Sequence, residues 1–440
     1  MKKSTCLIIF SLTLILPFAV FAQQKTDTVV TLKQCVDFAL RNQPAVKQAA
    51  IDQQINEKDI RIGLSAWLPQ VSSSDFYQYY FKGSPPVVTP AYIATGSTVD
   101  QYSGLGLQAS QVIYNNDVLQ AAKAAKYSRE YYKQNTLSSQ INVVSDVSKA
   151  FFDVLLSEKQ LDILNEDIVR LQRSLKDAYS RYEAGAADKI DYKQATISLN
   201  NSLAARKQTA EAINSKLAYL KQIMGLSRNH NLILSYDSTH YEQEASIDTN
   251  QQLDINKRIE FRLLQTQKNL ENVNVSYYKW GFLPSLSAVG SYNWYFLSTQ
   301  LSSLYNRSVP TGYAGLTLDL PIFQGTKRLQ NLSKARLQAD RTDLDITNTS
   351  NTINTEYVEA LASYKSNYTN YQLIRQNVDL AKDVYKVVSL QYREGIKTYL
   401  DVIVSQSDLR TAELSYYNAL FQLLSSKIDL EKSLGILNVQ

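Results

Sequence analysis

Two stretches, residues 181–191 (RYEAGAADKID) and residues 391–401 (QYREGIKTYLD), decide how this chain folds. Aligned at an offset of 210, they share a tyrosine, a glycine and an aspartate at the same places. Three more pairs match in the same order: WLP with FLP (from residues 67 and 282), QVIY with LPIF (from 111 and 320), and MGL with LGI (from 224 and 434). Four matches in one order indicate that the chain contains two copies of one structural unit.

The glycine that the two stretches share, Gly185 and Gly395, we call the elbow glycine, and each stretch around it an elbow. The residues before each elbow glycine carry a heptad pattern. Apolar residues alternate at spacings of three and four through Leu161, Leu164, Ile168, Leu171, Leu175, Ala178 and Tyr182, and again through Tyr371, Ile374, Val378, Ala381, Tyr385, Val388 and Tyr392. This spacing predicts long helices over about 117–182 and 325–392, which return as helices over about 189–225 and 397–436. A helix of about 66 residues spans roughly 100 Å, so the helices must pack side by side.

The composition fits long regular elements and offers little for catalysis. Gly numbers 14 and Pro 9 in 440 residues, below the usual shares of roughly 7% and 5%. Two His (His230 and His240) and two Cys (Cys6 and Cys35) are too few for a zinc site and give little scope for a histidine base. The net charge of +5 gives no electrostatic case for binding nucleic acid. The sequence therefore predicts neither an enzyme nor a bound cofactor or metal.

The first 22 residues have the features of a secretory signal peptide. Lys2 and Lys3 precede a short apolar run, and small residues stand at the positions expected before cleavage after Ala22. Cys6 lies early in the apolar run, so we expect no lipid anchor. No later apolar run reaches the roughly 18 residues of a membrane helix. We therefore expect the exported chain to be soluble outside the cytoplasm or to cross a membrane as strands.

Each copy also contains two stretches in which apolar and polar residues alternate. They lie at about 71–83 and 101–114 in the first copy, and at about 285–298 and 312–323 in the second. Period two over about ten residues is typical of a transmembrane barrel, although a soluble sandwich shows the same alternation. Four strands cannot close a barrel, and an open edge in lipid leaves backbone groups unpaired. We therefore expect an oligomer; two copies supply 8 strands, three supply 12, and the arithmetic leaves both possible.

The ordered set of motifs resembles the TolC family of outer-membrane efflux proteins over about residues 30–437. It comprises the two elbows, the WLP and FLP before the strands, and LPIFQG after the last strand. The resemblance implies an α+β, mostly α fold: a homotrimer with a 12-stranded outer-membrane β-barrel, continued by a periplasmic α-barrel of antiparallel coiled-coil helices. We therefore expect the chain in the outer membrane, in contact with lipid, with its helical barrel in the periplasm.

The same resemblance implies a function as an exit duct. Members of the family conduct solutes passively in tripartite efflux or type I secretion. They dock to a periplasmic adaptor (membrane fusion) protein and to an inner-membrane pump of the resistance-nodulation-division or ATP-binding cassette type. The transported substrate is not encoded in these patterns, because specificity belongs to the pump.

The resemblance also implies positions for a periplasmic gate. In the family an acid six positions after the second elbow glycine lines the constriction, which here is Asp401. A basic residue two positions after that glycine, here Lys397, tethers the closed state to an acid in the first copy, here Asp191. The best-known members have a second acid where this chain has Val404, which predicts a weaker negative field. The elbow residues expected to contact the adaptor are Tyr182, Glu183, Gly185, Tyr392, Arg393 and Gly395.

These assignments divide the chain into four parts. They are a signal peptide (1–22), a first repeat (23–225), an equatorial linker segment (226–249) and a second repeat (250–440). Within the repeats we expect helical lead-ins at about 43–66 and 250–281. One alternative of another class remains open at this point: an exported coiled-coil structural or adhesive protein without channel activity.

Overall fold

A computed structural model describes residues 28–82, 99–235 and 238–439. The signal peptide expected at 1–22 and the side chain of His240 lie outside the part of the chain that is described.

The two copies contain the same elements in the same order. In the first copy these are β1 (Thr28–Val30), α1 (Leu32–Asn42), α2 (Pro44–Leu64), β2 (Gln70–Tyr79), β3 (Gln101–Tyr114), α3 (Asn116–Glu183) and α4 (Lys189–Met224). After β4 (Leu232–Leu234) and α5 (Ser238–Glu244) come α6 (Ile259–Trp280), β5 (Ser285–Ser298), β6 (Ser308–Asp319), α7 (Lys327–Arg393) and α8 (Tyr399–Leu434). Each copy therefore runs from a lead-in helix through two strands into a long helix and a return helix.

Each long helix ends at a glycine that adopts the left-handed conformation. The φ angle is 72° at Gly185 and 77° at Gly395, a region that costs an L side chain energy. At both elbows a backbone N–H just after the glycine reaches back five residues to a carbonyl: Ala186 to Arg181 and Ile396 to Gln391, both at 2.8 Å. This pattern satisfies the last carbonyls of the helix and turns the chain into the return helix.

The helices form a wall one helix thick. Near the elbows the neighbours run in the order α4, α3, α8 and α7; nearer the sheet, the lead-in helices take part in the order α2, α3, α6 and α7. Leu164, Ile168, Leu171 and Ala178 of the predicted heptad seam are buried where α3 meets its neighbours. One side of the wall is thus α7, and the other side is α2 and α4. Among the described residues, no helix is long and apolar enough to cross a membrane.

The largest apolar core lies about halfway along α3. Phe151 and Leu155 of α3 and Leu420 and Leu423 of α8 have no exposed surface there. β1 and β4 pair in parallel beside this core, and Leu232, Leu234 and Tyr241 pack into it. The described part of the linker segment 226–249 thus lies against the middle of the long helices.

The four long strands form one antiparallel sheet in the order β2, β3, β5 and β6. The central pair, β3 and β5, joins the two copies. The register places on one face the apolar residues Leu105, Leu107, Tyr292, Trp294, Leu316 and Leu318. On β2 this face also carries Ser73 and Asp75. The opposite face carries mostly Ser, Thr, Gln and Asn side chains toward the helices, and at its far end an apolar cluster of Phe76, Tyr102, Tyr295 and Leu297. The predicted alternation therefore corresponds to the two faces of one sheet.

The element limits differ from those expected in four places. β2 ends at Tyr79 rather than near 83, and β6 runs from 308 to 319 rather than from 312 to 323. β6 ends before Pro321, which lacks the N–H for a further ladder hydrogen bond. The second lead-in helix begins at Ile259 rather than near 250, after a short 3₁₀ turn. The long helix α7 begins at Lys327, because Gly325 before it has a φ of 62°.

We predict that Gly225→Ala destabilises the protein more than Gly185→Ala. Both glycines have a positive φ, so each alanine costs about 1–2 kcal/mol for the left-handed conformation. A Cβ at Gly225 would in addition lie 2.7 Å from the carbonyl oxygen of Asn42, whereas a Cβ at Gly185 meets nothing within 4 Å. Thermal unfolding of the detergent-solubilised protein, followed by helical circular dichroism, measures the difference. Equal losses of stability would show that the backbone of Asn42 can move away from the added Cβ without cost.

Candidate gate at the helical elbows

The two elbows touch each other at the end of the wall farthest from the sheet. The guanidinium of Arg181 lies 4.6 Å from the ring centroid of Tyr392, and its Nη2 donates to the carbonyl oxygen of Arg393 at 3.4 Å. Of the six residues expected at the elbows, Tyr392 is half-buried, and the others are exposed: Tyr182, Glu183, Gly185, Arg393 and Gly395. The exposed members are available to a partner at this end.

A small core next to the elbows joins the hairpin formed by α3 and α4 to the hairpin formed by α7 and α8. Tyr399, at the start of α8, is buried against Ala178 of α3 and Ala195 of α4. Burial raises the pKa of Tyr399, and the hydroxyls of Tyr399 and Tyr392 find no hydrogen-bond partner among the described residues. A buried unpaired hydroxyl costs roughly 1–3 kcal/mol, so this contact between hairpins is weaker than its burial suggests.

Asp401 caps the return helix α8. Its Oδ2 accepts hydrogen bonds from the Thr398 backbone N–H at 2.9 Å and from the Thr398 hydroxyl at 2.8 Å. The Asp401 N–H donates in return to the Thr398 hydroxyl at 3.3 Å, which completes a capping box. The hydrogen bonds from Thr398, followed by the charge of Lys397, hold the pKa of Asp401 below its ordinary value. The carboxylate therefore stays ionised and is held in a fixed place.

The other two predicted gate residues are placed differently. Lys397 Nζ lies 3.8 Å from Asp401 Oδ1 in the same chain, and the ion pairs of the described residues do not include one between Lys397 and Asp191. Asp191 lies in the first turn of α4, where burial and the nearby charge of Asp188 raise its pKa. The structure thus brings Lys397 and Asp401 together and leaves Asp191 on the neighbouring hairpin.

The start of α8 also exposes an apolar stripe. Ile396, Leu400 and Val404 follow one another at intervals of four residues and are 71%, 58% and 50% exposed. Val404 stands where the resemblance led us to look for a second acid. The surface of α8 next to Asp401 is therefore apolar and not acidic.

Two features of the site were not predicted from the sequence. Tyr399 lies just after the predicted start of a helix and carries no motif, yet it is the buried centre of the elbow core. Asp167 stands one position before a seam residue, where charges are usually solvated, yet its side chain is only 2% exposed. The heptad register placed Asp167 close to the seam, but only the neighbouring helices bury it.

The fold and the elbows define the class of this protein as the TolC-like outer-membrane channels. The chain belongs to the outer membrane efflux protein family, whose model matches residues 36–226 and 261–436. The two matched segments correspond to the two copies. The resemblance noted in the sequence is thereby confirmed, together with the predicted fold class and the function as an outer-membrane efflux channel. Channels of this family are passive conduits and not enzymes, and the alternative of an adhesive rod is set aside.

Individual relatives are similar along most of their length. The chain is 23% identical over 410 residues to the probable efflux pump outer membrane protein TtgC of Pseudomonas putida, covering 92% of this chain and 82% of TtgC. It is 21% identical over 426 residues to the outer membrane protein TolC of Vibrio cholerae, covering 93% and 91%. The crystal structure of the Campylobacter jejuni CmeC outer membrane channel matches with a TM-score of 0.75 at 19% identity, over 98% and 94%. At such identity the structural match shows a common fold.

We predict that Asp401→Asn weakens block of the channel by trivalent cations, whereas Thr398→Ala leaves the block intact. The asparagine keeps the size of the side chain and removes its charge, and the alanine removes the hydroxyl but keeps the carboxylate. Current through single channels in planar bilayers, titrated with the cation, measures both variants. If the two variants lose block equally, Asp401 acts on α8 as a cap and not on the ions.

The pH dependence of the block follows from the same hydrogen bonds. A carboxylate with a lowered pKa keeps its charge as the pH falls through the usual range near 4 and loses it only below that range. In the open gate, where the three carboxylates stand apart, we therefore expect the block in the unmodified protein to persist to a lower pH than an ordinary Asp would allow. Block that disappears well above pH 4 would assign it to another group.

Proposed function

We propose that three copies of this chain form the exit duct of a tripartite efflux or type I secretion system. Their sheets would close into a 12-stranded β-barrel in the outer membrane, and their helices would continue it as an α-barrel through the periplasm. The observation that carries this proposal is that the sheet and the helical wall are both unfinished on two sides.

The sheet has two edges that could receive another strand. Within the described residues, β2 pairs only with β3, and β6 pairs only with β5. Leu316 and Leu318 of β6 are 69% and 65% exposed on the apolar face. Unpaired backbone groups cost several kcal/mol each in hydrocarbon, so an apolar sheet of this kind in a bilayer needs neighbours on both sides.

The helical wall carries exposed apolar stripes on its outer sides. On α7 exposed apolar residues recur at intervals of seven in two runs, Leu337 and Leu344, then Leu373, Leu380 and Val387. Leu373 and Leu380 stand two positions after the buried Tyr371 and Val378, which is about 200° around the helix. The opposite side exposes Ile51, Ile55 and Ile62 on α2 and Ile190 and Ile197 on α4. Stripes of this kind on both sides fit contact between copies of the same chain.

Three is the number that best fits a duct. Eight strands make a barrel that side chains fill, whereas twelve leave a lumen. The wall is four helices wide at each level, so three copies supply twelve helices to continue twelve strands. The mostly polar face of the sheet would then line the lumen, and the apolar face would contact lipid.

The duct would work with partners that supply energy and specificity. Relatives such as TtgC of Pseudomonas putida are named as the outer membrane proteins of efflux pumps. We infer that this chain docks to a periplasmic adaptor at its exposed elbow residues, Glu183 and Arg393 among them. The adaptor would connect it to an inner-membrane pump of the resistance-nodulation-division or ATP-binding cassette type. We further propose that residues 1–22 direct export and are removed after Ala22.

The gate would lie where the elbows converge around the channel axis. Three Asp401 carboxylates brought together repel one another, so a closed end needs a counter-charge. Lys397 supplies one beside each Asp401 and would reach Asp191 when the hairpins of the assembly approach each other. An exposed ion pair contributes little by itself, so exchange between the two acids is easy, and three copies act together.

We predict that the mature protein is a trimer and that Leu380→Glu removes most of it. The new carboxylate lies in the exposed α7 stripe between Leu373 and Val387, where contact with a second copy would bury it unpaired. Native mass spectrometry in detergent counts the copies, and planar bilayers report conductance. Gln372→Glu is the matched control, because it adds the same charge to an exposed position of α7 outside the stripe. A soluble, non-conducting monomer would overturn the proposal, as would a trimer indifferent to Leu380→Glu.

A further inference from the structure

A buried polar cluster lies in the wall between the elbows and the apolar core. Its centre is Asp167 of α3. The Asp167 Oδ1 accepts from Gln406 Nε2 of α8 at 2.9 Å, and its Oδ2 accepts from the Ser202 hydroxyl of α4 at 2.9 Å. Arg410 Nη1 of α8 lies 3.4 Å from the same Oδ2 and donates to the Ser202 hydroxyl at 3.0 Å. We call these four residues the Asp167 node; they connect both hairpins through three helices.

A second ion pair adjoins the node. Arg170 Nη2, one turn along α3, lies 3.5 Å from Glu413 Oε2 of α8, and their side chains are only 19% and 14% exposed. Asp167 and Glu413 are thus matched by Arg170 and Arg410. Burying a charge is costly unless it stays paired, so a shift of α8 along or away from α3 is strongly opposed at this level.

Contacts between the hairpins are different on the elbow side of the node. There the hairpins meet at Tyr399 and Tyr392, whose buried hydroxyls are unpaired among the described residues, and at the exposed contacts of Arg181. Separating these groups returns the hydroxyls to water, whereas separating the node leaves charges without partners. Gln406 Oε1 and Arg170 Nε are also unpaired among the described residues, but the charges of the node and of the adjoining pair are matched. The wall is therefore held more firmly at the node than below it, that is, on the elbow side.

We propose that the Asp167 node is the pivot of the gate. When the gate opens, residues 399–405 of α8 and the adjoining end of α7 move relative to residues 168–183 of α3, while the wall above the node stays fixed. Asp167 is then a positioning residue, since it acts on the gate through α8 and not on the solute. The inference rests on the proposed function, because it requires a gate at the elbows.

Two crosslinks, one on each side of the node, test the pivot. Below it, Arg181→Cys with Arg393→Cys joins residues whose contact is 3.4 Å from Nη2 to the carbonyl oxygen. Above it, Gln160→Cys with Asn418→Cys replaces a hydrogen bond of 3.4 Å between α3 and α8. Both pairs are made with Cys35→Ser and joined by a short bis-maleimide in the reconstituted trimer. We expect the lower crosslink to reduce open probability roughly tenfold and the upper one to leave it unchanged.

Asp167→Asn provides a readout that a purely structural role would not give. The amide keeps the shape of the side chain but loses the charge that holds Arg410. The part of α8 that moves when the gate opens should then extend beyond the node, toward the apolar core. The upper crosslink, without effect in the parent, should then reduce open probability as well. Asp162→Asn, a change at an exposed acid of α3 outside the node, should leave the upper crosslink without effect.

The outcomes separate this inference from the proposed function. If both crosslinks reduce opening in the parent, the whole hairpin moves and the pivot is wrong. If neither does, opening occurs elsewhere and the pivot is also wrong. An upper crosslink that stays without effect in Asp167→Asn shows that Asp167 does not set the boundary. A trimer that does not conduct before any crosslinking contradicts the proposed function itself and removes the basis of the pivot.

Discussion

The backbone of a strand must be hydrogen-bonded on both sides when it lies in lipid, and this chain has only four long strands for the purpose. Within the described residues, β2 and β6 are left with one partner each. The helical wall likewise lacks neighbours on its two outer sides, where apolar side chains are exposed on α7 and on α2 and α4. Because the sheet and the wall end on corresponding sides, one assembly can complete both. The proposed oligomer therefore follows from the small number of strands and helices that one chain supplies.

Along the wall the character of the packing changes from apolar to polar. The middle of α3 and α8 is held by fully buried residues such as Phe151, Leu155 and Leu420, beside the small parallel pair of β1 and β4. Farther toward the elbows the contact depends on a paired carboxylate at Asp167. At the elbows it depends on Tyr392 and Tyr399, whose hydroxyls have no partner among the described residues. Such a gradient suits a molecule that must be rigid in the middle and able to move at one end, because local opening follows the weakest packing.

Much of the candidate site could be located from the sequence, but the roles of its residues could not. The elbow glycines were identifiable because a helix that stops and returns needs a left-handed residue, and Gly185 and Gly395 both adopt that conformation. The family pattern predicts Asp401 as a gate residue. Its capping box with Thr398 could have been found from the spacing alone, since Thr and Asp stand three residues apart at the start of a helix. The ion pair of Lys397 with Asp401 could be found in the same way, since the two stand four residues apart. A contact between Lys397 and Asp191 could not, because it depends on how two hairpins face each other.

The sequence by itself determined the elements: the duplication, the heptad seams, the positions of the elbows and the alternation of the strands. These follow from periods along the chain, which act on neighbours a few residues apart. Tertiary structure decided which strands meet, that β3 and β5 join the two copies, and where the strands stop. It also decided that Asp167 is buried, because Gln406 and Arg410 come from a helix some 240 residues later in the chain. No local pattern encodes a contact of that kind, since it exists only after the hairpins have packed.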